Sequence, residues 1–593
     1  MNGRPQAEAA GIGMEGITET VWKLKKNGVS AWFTQNMVWL LGMAVGIAAF
    51  LCIYGVHVLN VTYTDWLLGG GDLTQHYLGW CFFRDSSWTF PIGLMDRMSW
   101  PYEVSVIFTD SVPLLAVFFK LFRGVLPEQF QYFGLWGLLC FALQGAFGAL
   151  LIFHYVGKRA EAAVGSLLFV ITPVMLSQMT VNMSLGAQWL ILACLYLGLC
   201  RTKMKGAPAV ACWGAAGLLA AGIQLYFIPI CALILISFFL ADLVRKTRVA
   251  RGLLAMAAYG VCSVGMVALL GGFTHEHIPD FTALGQSGFN LNGLFNAQGW
   301  SQVLEALPVY GDNPEEGLAF PGTGILLTLA VGLFAWFLHL MYRLFVRREN
   351  IFANTVRQFK LRKEAASDGL YRRKKENAAA FLFLVLLCVL VALSPQVALG
   401  SDVIASYSLP SWVTRLWGMI GNTGRFIWPV VYLVILGSVV FMEKAMPYQS
   451  MAAALLVIFA VLQVSDGKWQ LMQRQVQFST DYVYESPLDD VKWQEWAEDE
   501  EINHMVFVSY LLEDEDLVSE LSVYAWESGM TVNDFCNACQ TIRTEAAEEL
   551  LDALAEVRED TLYIYLASDE AMCVSPDMDY THVDGVIVGT AKG

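Results

Sequence analysis

Residues 69–85 read GGGDLTQHYLGWCFFRD, three glycines followed by an aspartate and an aromatic, helix-like run. In a helix, Asp72 and His76 are four residues apart and therefore lie on one face. A second short block, FTDSVP at 108–113, follows before the next long apolar run. The rest of the chain consists of apolar runs, short basic connectors and an acidic tail. We therefore expect any catalytic residues to lie in these two blocks, at 69–85 and 108–113.

The composition is that of an α-helical polytopic membrane protein. Of the 593 residues, 56% are hydrophobic, and the mean hydropathy is +0.50. A spanning helix needs about 20 mostly apolar residues, and the first such run extends from Met37 to about Leu59. Together with ten further runs, the sequence predicts about eleven spans. The ten are expected at about 129–155, 163–179, 183–200, 207–224, 226–243, 252–272, 320–342, 377–394, 426–442 and 450–465.

Charge separates the tail from the membrane part. Residues 466–593 carry 29 acidic and 6 basic residues, a net charge of −23 within a chain whose total is −16. Alternating strand-like and helix-like patterns predict that this tail is an α/β domain. The strands are expected at 506–510, 531–533, 561–567 and 583–589, and the helices at 515–527 and 541–557. Because the basic residues lie in membrane connectors, nothing indicates a nucleic-acid partner.

The distribution of Lys and Arg predicts the orientation. The connector 343–376 holds 11 basic and 4 acidic residues, whereas the loop 273–319 has no Lys or Arg and six acids. Eleven spans put every basic connector on one side, which favours a cytoplasmic-membrane protein with its N-terminus inside. Counting residues 103–124 as a span would reverse this, so Pro113–Phe122 is predicted to be a short surface helix.

This topology divides the chain into three parts. Residues 1–36 form a cytoplasmic N-terminal segment, and residues 37–465 form a transmembrane domain with an outer loop at 60–128. Residues 466–593 form an acidic extracytoplasmic domain. Within it, Cys536 and Cys539 have the spacing of a disulfide or an inert pair, without a second pair that would complete a zinc site.

The chain resembles the glycosyltransferase-C superfamily in having a long outer loop after its first span, with an acidic residue near the start of that loop. Four sequence motifs resemble most those of one bacterial group of unassigned function. They are GDLTQHYLGW at 71–80, FTDSVPL at 108–114, FQYFGLW at 130–136 and GRFIWP at 424–429. The resemblance implies a polytopic enzyme that uses a polyprenyl-phosphate-linked sugar donor at the outer membrane face. It leaves the acceptor open among a glycan, a lipid and a protein.

Three residues are the catalytic candidates. Asp72 is either a helix N-cap, since Gln75 follows three residues later, or a general base that takes the proton of the acceptor hydroxyl. His76 either orients the acceptor, binds phosphate or serves only packing. Asp110 is a helix cap or else a second base or metal ligand, and Glu103 and Asp85 rank below it.

The substrate-binding candidates are chosen for charge and position. Arg425 is either an arginine anchored at the membrane interface or a bidentate partner for the lipid phosphate, assisted by Lys120 and Arg123. Gln75 and Tyr77, beside His76, complete the set. A divalent metal ion is left open, because His275, Glu276, His277 and Asp280 form only a weak ligand pattern.

The function predicted from these residues is transfer of a sugar from a polyprenyl-phosphate-linked donor to an acceptor of the cell envelope. One alternative is a transporter or flippase of an envelope precursor. The predicted spans have essentially no Asp, Glu, Lys or Arg at their centres, which argues against ion-coupled transport. The other alternative is a non-catalytic subunit of envelope assembly.

Overall fold

The computed structural model describes residues 36–204, 206–274, 286–311, 314–347, 369–418, 421–478, 482–508, 515–535 and 557–592. Its helices are α1 Asn36–Tyr54, α2 Gly71–Asp85, α3 Pro113–Lys120, α4 Phe133–Val156, α5 Arg159–Val170, α6 Pro173–Val181, α7 Trp189–Cys200, α8 Ala207–Ile223, α9 Phe227–Val244, α10 Val249–Leu270, α11 Thr323–Met341, α12 Gly369–Ala392, α13 Ser411–Gly418, α14 Trp428–Ala445, α15 Gln449–Gln475, α16 Val491–Glu498 and α17 Glu515–Glu527. Its strands are β1 Leu94–Ser99, β2 Tyr102–Ser105, β3 Gln396–Leu399, β4 Asp402–Ser406, β5 His504–Phe507, β6 Thr531–Val532, β7 Thr561–Leu566, β8 Met578–Val583 and β9 Val586–Ala591.

The membrane class is confirmed, but the count of eleven spans is not. Seven helices of the described residues are long and apolar enough to cross a membrane, and the pair α5 and α6, bent by 54°, gives up to eight. The predicted runs at 183–200, 207–224 and 377–394 contain shorter apolar helices of 10–17 residues, Trp189–Cys200, Ala207–Ile223 and the apolar part of α12 at Asn377–Ala392. Every predicted run contains helix, so the difference lies in helix length.

The segment after α1 does not contain a span at 103–124. Instead β1 and β2 pair as an antiparallel hairpin, with Leu94 opposite Ser105. The helix α3 follows with only eight residues, about 12 Å at 1.5 Å per residue, too short to cross the roughly 30 Å hydrocarbon core. The predicted short helix beginning at Pro113 is therefore present.

Side-chain contacts define two opposite faces of the helical part. On one face, Asp110 contacts the residues that end α6 and α8. On the other, Arg201 after α7 binds Asp242 near the end of α9, and Lys158 binds Glu443 near the end of α14. The first is called the loop face, and the second the basic face.

The C-terminal domain contains a five-stranded mixed sheet, in the order β6-β5-β7-β9-β8. β5 pairs in parallel with β6 and β7, whereas β9 pairs antiparallel with β7 and β8. The sequence predicted one strand at 583–589, but a hairpin lies there, with Val583 opposite Val586. Asp584 and Gly585 both have positive φ, as a two-residue type I′ turn requires. The predicted helix at 541–557 and the cysteine pair at 536 and 539 lie outside the described residues.

The C-terminal domain packs on the segment between α1 and α4. Trp526 of α17 donates through Nε1 to Oδ2 of Asp85 at 3.0 Å, and its ring packs edge-on against Tyr77. Next to it, the imidazole of His504 stacks on the indole of Trp100 at 4.0 Å. The domain thus covers α2 on the loop face.

Candidate functional site

Two glycines and a threonine set the position of Asp72 at the start of α2. Gly70 and Gly71 have φ of 86° and 66°, a left-handed conformation that strongly favours glycine. The hydroxyl of Thr74 accepts from the Gly70 amide at 2.9 Å and donates to the Leu67 carbonyl at 2.9 Å. This turn brings Asp72 into the first helical turn.

Asp72 does not cap the helix. The N-cap is Gly70, without a side-chain cap, and the carboxylate of Asp72 accepts no hydrogen bond from any described residue. The residue is exposed, yet loss of solvation in the surrounding protein raises the pKa of its carboxyl. The Asp72 carboxylate is therefore accessible and more basic than an ordinary carboxylate, as a general base needs to be.

His76 lies one turn further along α2 and is buried. Its Nε2 is 4.0 Å from Oδ2 of Asp110, and its Nδ1 has no hydrogen-bond partner among the described residues. Burial lowers the pKa of the imidazole, although Asp110 and Asp72 act in the opposite direction. His76 is therefore neutral at pH 7 and is enclosed by the surrounding protein.

Asp110 joins the loop to the ends of two helices. Its Oδ2 accepts from Nδ2 of Asn182 at 2.8 Å, and its Oδ1 accepts from Nε2 of Gln224 at 3.0 Å. Asn182 ends α6 and Gln224 ends α8. Asp110 itself has φ +55°, and the β-branched Val112 has φ +52°, a rare and strained conformation for such a residue. The helix cap expected of Asp110 is absent, because α3 begins at Pro113 without a side-chain cap.

The conformation around Asp110 is fixed by contact with α2. The hydroxyl of Ser111 donates to the His76 carbonyl at 2.7 Å and lies 2.8 Å from the hydroxyl of Thr109. A Cβ at Gly79 would come within 2.6 Å of both of these residues. The glycine therefore permits the approach that holds Asp110 beside His76.

Arg425 lies at the start of the segment that leads into α14. Its Nε and Nη2 donate to the two carboxylate oxygens of Glu316, at 2.5 and 2.6 Å. Its guanidinium also stacks on the ring of Tyr226, with Cζ 4.3 Å from the ring centroid. Among the described residues, Nη1 has no hydrogen-bond partner. Arg425 is thus only 8% exposed, and its fork is occupied by a carboxylate.

Contacts between neighbours connect these groups into one cluster. Asp110 lies beside His76 and binds Gln224. Gln224 accepts from the amide of Tyr226, whose ring stacks on Arg425. After desolvation, the pKa of Asp72 is lowered by His76, raised by Asp110 and Glu316, and lowered by Arg425. The site therefore contains three carboxyl groups, one imidazole and one guanidinium, drawn from four separate parts of the chain.

The other predicted binding residues lie away from this cluster. Lys120 is buried, with Nζ 3.2 Å from the Ser87 carbonyl and 3.9 Å from the Phe83 ring centroid. Burial, followed by the nearby Arg123, lowers the pKa of Lys120 to about 8. Arg123 donates to the Ser86 carbonyl at 2.7 Å. In the described part of the chain, neither cation contacts Asp72 or Arg425.

The two residues that flank His76 differ in their surroundings. Tyr77 is fully buried and packs against Trp526 of the C-terminal domain, on the side of α2 that this domain covers. Gln75 is half-buried. Of the eight predicted site residues, Asp72, His76, Asp110 and Arg425 are brought together.

Sequence reasoning missed Asn182, Gln224, Tyr226 and Glu316. Asn182 and Gln224 each follow an apolar helix, so polar residues between closely spaced apolar runs are a usable signal. Glu316 lies in an acidic loop with nothing in its local pattern to single it out. Its role depends on the fold, because it meets Arg425 across 109 residues of chain.

The described residues do not form a metal site. Among them, no three side chains of His, Cys, Asp or Glu lie together in an arrangement that could hold an ion. The segment with His275, Glu276, His277 and Asp280 lies outside the described residues.

Family comparison matches most of the chain. Residues 43–468 match a family described as "Domain of unknown function (DUF6311)". The chain belongs to the DUF6311 family. Residues 492–591 match the DUF6311 C-terminal domain. This agrees with the resemblance to a group of unassigned function. No curated protein matches the chain.

Three solved structures are similar over most of the chain. The oligosaccharyltransferase of Archaeoglobus fulgidus, tethered to an acceptor peptide with an NVT sequon, has 12% identity and a TM-score of 0.44, covering 95% of this chain and 75% of its own. Its apo form has 11% identity and a TM-score of 0.42, with coverages of 90% and 69%. ArnT from Cupriavidus metallidurans in the apo state has 12% identity and a TM-score of 0.44, with coverages of 95% and 98%.

Proposed function

We propose that the protein is a membrane glycosyltransferase that moves a sugar from a polyprenyl-phosphate-linked donor to a glycan, lipid or protein acceptor outside the cell. The N-terminus would be cytoplasmic, and the loop face would lie at the outer surface of the cytoplasmic membrane. The acceptor would enter beneath the C-terminal domain. The motifs at 71–80 and 424–429, which carry the resemblance to a bacterial group of the glycosyltransferase-C type, contain Asp72 and Arg425.

In this proposal Asp72 is the general base. Transfer needs a group that removes the proton of the acceptor hydroxyl as its oxygen attacks the anomeric carbon. Asp72 accepts no hydrogen bond from the described residues and reaches solvent. Its raised pKa makes the carboxylate a stronger base than a fully capped one.

Arg425 would bind the phosphate of the donor. Glu316 and Tyr226 hold the guanidinium plane, which leaves Nη1 for a phosphate oxygen. As the bond between the anomeric carbon and the phosphate oxygen breaks, its electron pair stays on the phosphate. A fixed guanidinium stabilises that developing charge without reorganising.

His76 and Asp110 would complete the acceptor side. The neutral imidazole would position the Asp110 carboxylate, which lies 4.0 Å from Nε2, while Asp110 holds the adjoining loop to the ends of α6 and α8. The observation that carries the proposal is the series of contacts that joins Asp110, beside His76, to Arg425 at the loop face. Asp110 binds Gln224, Gln224 accepts from the Tyr226 amide, and the ring of Tyr226 stacks on Arg425.

The replacement Asp72→Asn tests this proposal. It preserves size and removes the base, so transfer should fall about 10²–10⁴-fold while expression and folding are kept. The assay would follow a panel of polyprenyl-phosphate-linked hexoses with the purified full chain. Asp65→Asn is the matched control, because Asp65 also lies in the first turn of a short helix in the same loop. Equal transfer by Asp72→Asn and the unmodified protein would contradict the proposal.

One observation favours a second candidate, a flippase for an envelope precursor. The bend of 54° between α5 and α6 makes a broken helix of the kind found in transporters. Neutral side chains make the hydrogen bonds at the break between these helices. Gln463 donates to the Ile171 carbonyl at 2.9 Å, and Thr172 donates to the Pro321 carbonyl at 3.3 Å. Movement of a fluorescent lipid phosphate across vesicles, unaffected by Asp72→Asn, would favour this function over transfer.

A further inference from the structure

A large cavity opens at the basic face, on the side opposite Asp72. Its volume is about 940 Å³, and its walls come from α4, α7, α12 and α14. This is at the upper end of the 300–1,000 Å³ typical of sites for small molecules. The cavity is separate from the cluster at the loop face.

Polar groups collect at one end of this cavity. His154 is in the last turn of α4, Lys444 is in the last turn of α14, and Lys203 follows the end of α7. Lys203, His154 and Lys444 all line this cavity. Glu443, next to Lys444 in the chain, pairs with Lys158 at 3.6 Å and does not line the cavity. This end therefore carries positive charge and attracts an anion.

The remaining wall is apolar and runs deep between the helices. Along α14 it extends from Lys444 back to Leu433, eleven residues or about 16 Å at 1.5 Å per residue. That is about half of the roughly 30 Å hydrocarbon core. The cavity thus has the depth of one leaflet, with its charged end where headgroups lie.

Gly437 keeps the middle of this wall open. It is exposed in α14, and a Cβ at this position would meet no atom within 4 Å. A larger side chain here would enter the cavity without striking the protein. The sequence therefore leaves space where a lipid chain would lie.

We propose that this cavity binds one membrane phospholipid with an anionic headgroup, taken from the leaflet at the basic face. The phosphate would lie between Lys203 and Lys444, and an acyl chain would lie along Leu433, Leu436 and Gly437. Basic residues near a membrane surface attract anionic lipids. This site is independent of the proposed transfer reaction, because it shares none of its residues.

Native mass spectrometry of the full chain tests the proposal. The protein would be released from detergent after incubation with equimolar phosphatidylglycerol and phosphatidylcholine. The unmodified protein should retain one phosphatidylglycerol in preference to phosphatidylcholine. The double variant Lys203→Gln/Lys444→Gln should reduce that preference about thirtyfold, from about 1 kcal/mol for each lysine.

A second variant tests the apolar part of the site. Gly437→Phe should abolish retention of the lipid. Gly260→Phe in α10 is the matched control, because a Cβ there also meets nothing within 4 Å and the position does not line the cavity. If Gly437→Phe does not fold, the double lysine variant decides. Equal retention of the two lipids by the unmodified protein, or unchanged retention in folded Gly437→Phe, would overturn the proposal.

Discussion

The guanidinium of Arg425 and the carboxylate of Glu316 form a bidentate pair, with distances of 2.5 and 2.6 Å between the bonded atoms. Glu316 is 23% exposed at its side chain and Arg425 is 10% exposed, so the pair is largely removed from water. A lipid phosphate that approaches Arg425 meets a cation that is already partly neutralised. Glu316 therefore positions Arg425 and also competes with the phosphate for it.

This competition predicts opposite effects of two substitutions on lipid binding. Arg425→Ala should weaken binding of fluorescent polyprenyl phosphate about 10- to 100-fold, since hydrogen bonds to charged groups contribute about 1.5–3 kcal/mol. Glu316→Gln should strengthen binding, because the full charge of Arg425 becomes available. Arg425→Lys should restore binding only in part, as lysine lacks the planar fork. Identical affinities in all variants would mean that Arg425 only anchors the helix end.

The charges around Asp72 predict a pH dependence. A general base works when deprotonated, so transfer should rise with pH through the pKa of Asp72, which lies above the usual value for a carboxyl. Glu316 raises this pKa, so Glu316→Gln should move the acid side of the profile of kcat/KM to lower pH. Arg425 lowers it, so Arg425→Gln should move the acid side to higher pH.

The control for these shifts is Asp65→Asn, which removes a carboxylate that has no part in the pKa of Asp72. Its profile should coincide with that of the unmodified protein. Profiles that all coincide, including those of the Glu316 and Arg425 variants, would show that a group other than Asp72 controls the rate.

Much of the fold could be predicted because hydrophobic periodicity is a local property. The helix predicted at 515–527 is observed with the same bounds as α17, and each predicted apolar run contains helix. The number of spans could not be obtained in this way. The run at 183–200 is apolar throughout, yet helix α7 begins only at Trp189, after turns in which Asn182 binds Asp110. Tertiary contact, which periodicity does not report, shortened the helix.

The candidate site was predicted where chemistry-bearing residues stand in distinctive local patterns, as Asp72 and His76 do. Lys120 was chosen because it carries charge near the surface, but its ammonium group is buried against the rings of Phe83 and Trp88. The burial of Lys120 could not be predicted from the sequence, because it depends on which aromatic residues pack over the side chain. Glu316 was missed for the same reason, because its partner is remote in the chain.

The contact between α2 and the loop at 109–111 predicts the effect of Gly79→Ala. The new Cβ would lie 2.6 Å from Ser111 Oγ and Thr109 Cβ. Overpacking of this kind costs about 1–3 kcal/mol, which exceeds the gain of about 1 kcal/mol from alanine in a helix. Thermal unfolding in detergent should show a lower Tm. Gly260→Ala, whose Cβ meets nothing within 4 Å, should keep or raise the Tm. A Gly79→Ala protein as stable as the control would mean that the loop shifts freely.

The hydrogen bonds of Asp110 predict that Asp110→Asn is not a silent substitution. Both partners of the carboxylate are amide NH2 groups, from Asn182 and Gln224. An asparagine offers one acceptor oxygen, so its own NH2 group would face a second donor.

The side-chain amides of Asn182 and Gln224 cannot flip to pair with the new NH2 group. Oδ1 of Asn182 already accepts from Ser184 Oγ at 2.7 Å and from the Leu185 amide at 3.2 Å. Oε1 of Gln224 accepts from the Tyr226 amide at 2.6 Å. Either flip would therefore break bonds that fix the ends of α6 and α8.

Asp110→Asn should thus lower both stability and transfer. A buried donor left without a partner costs about 1–3 kcal/mol, so the Tm should fall with the activity. Asp72→Asn should instead lose transfer without a fall in Tm that accounts for it, because no described hydrogen bond is lost. Thermal unfolding and donor turnover, measured on the same preparations, separate the two. Loss of transfer in Asp110→Asn at an unchanged Tm, with full transfer in Asp72→Asn, would assign the base to Asp110.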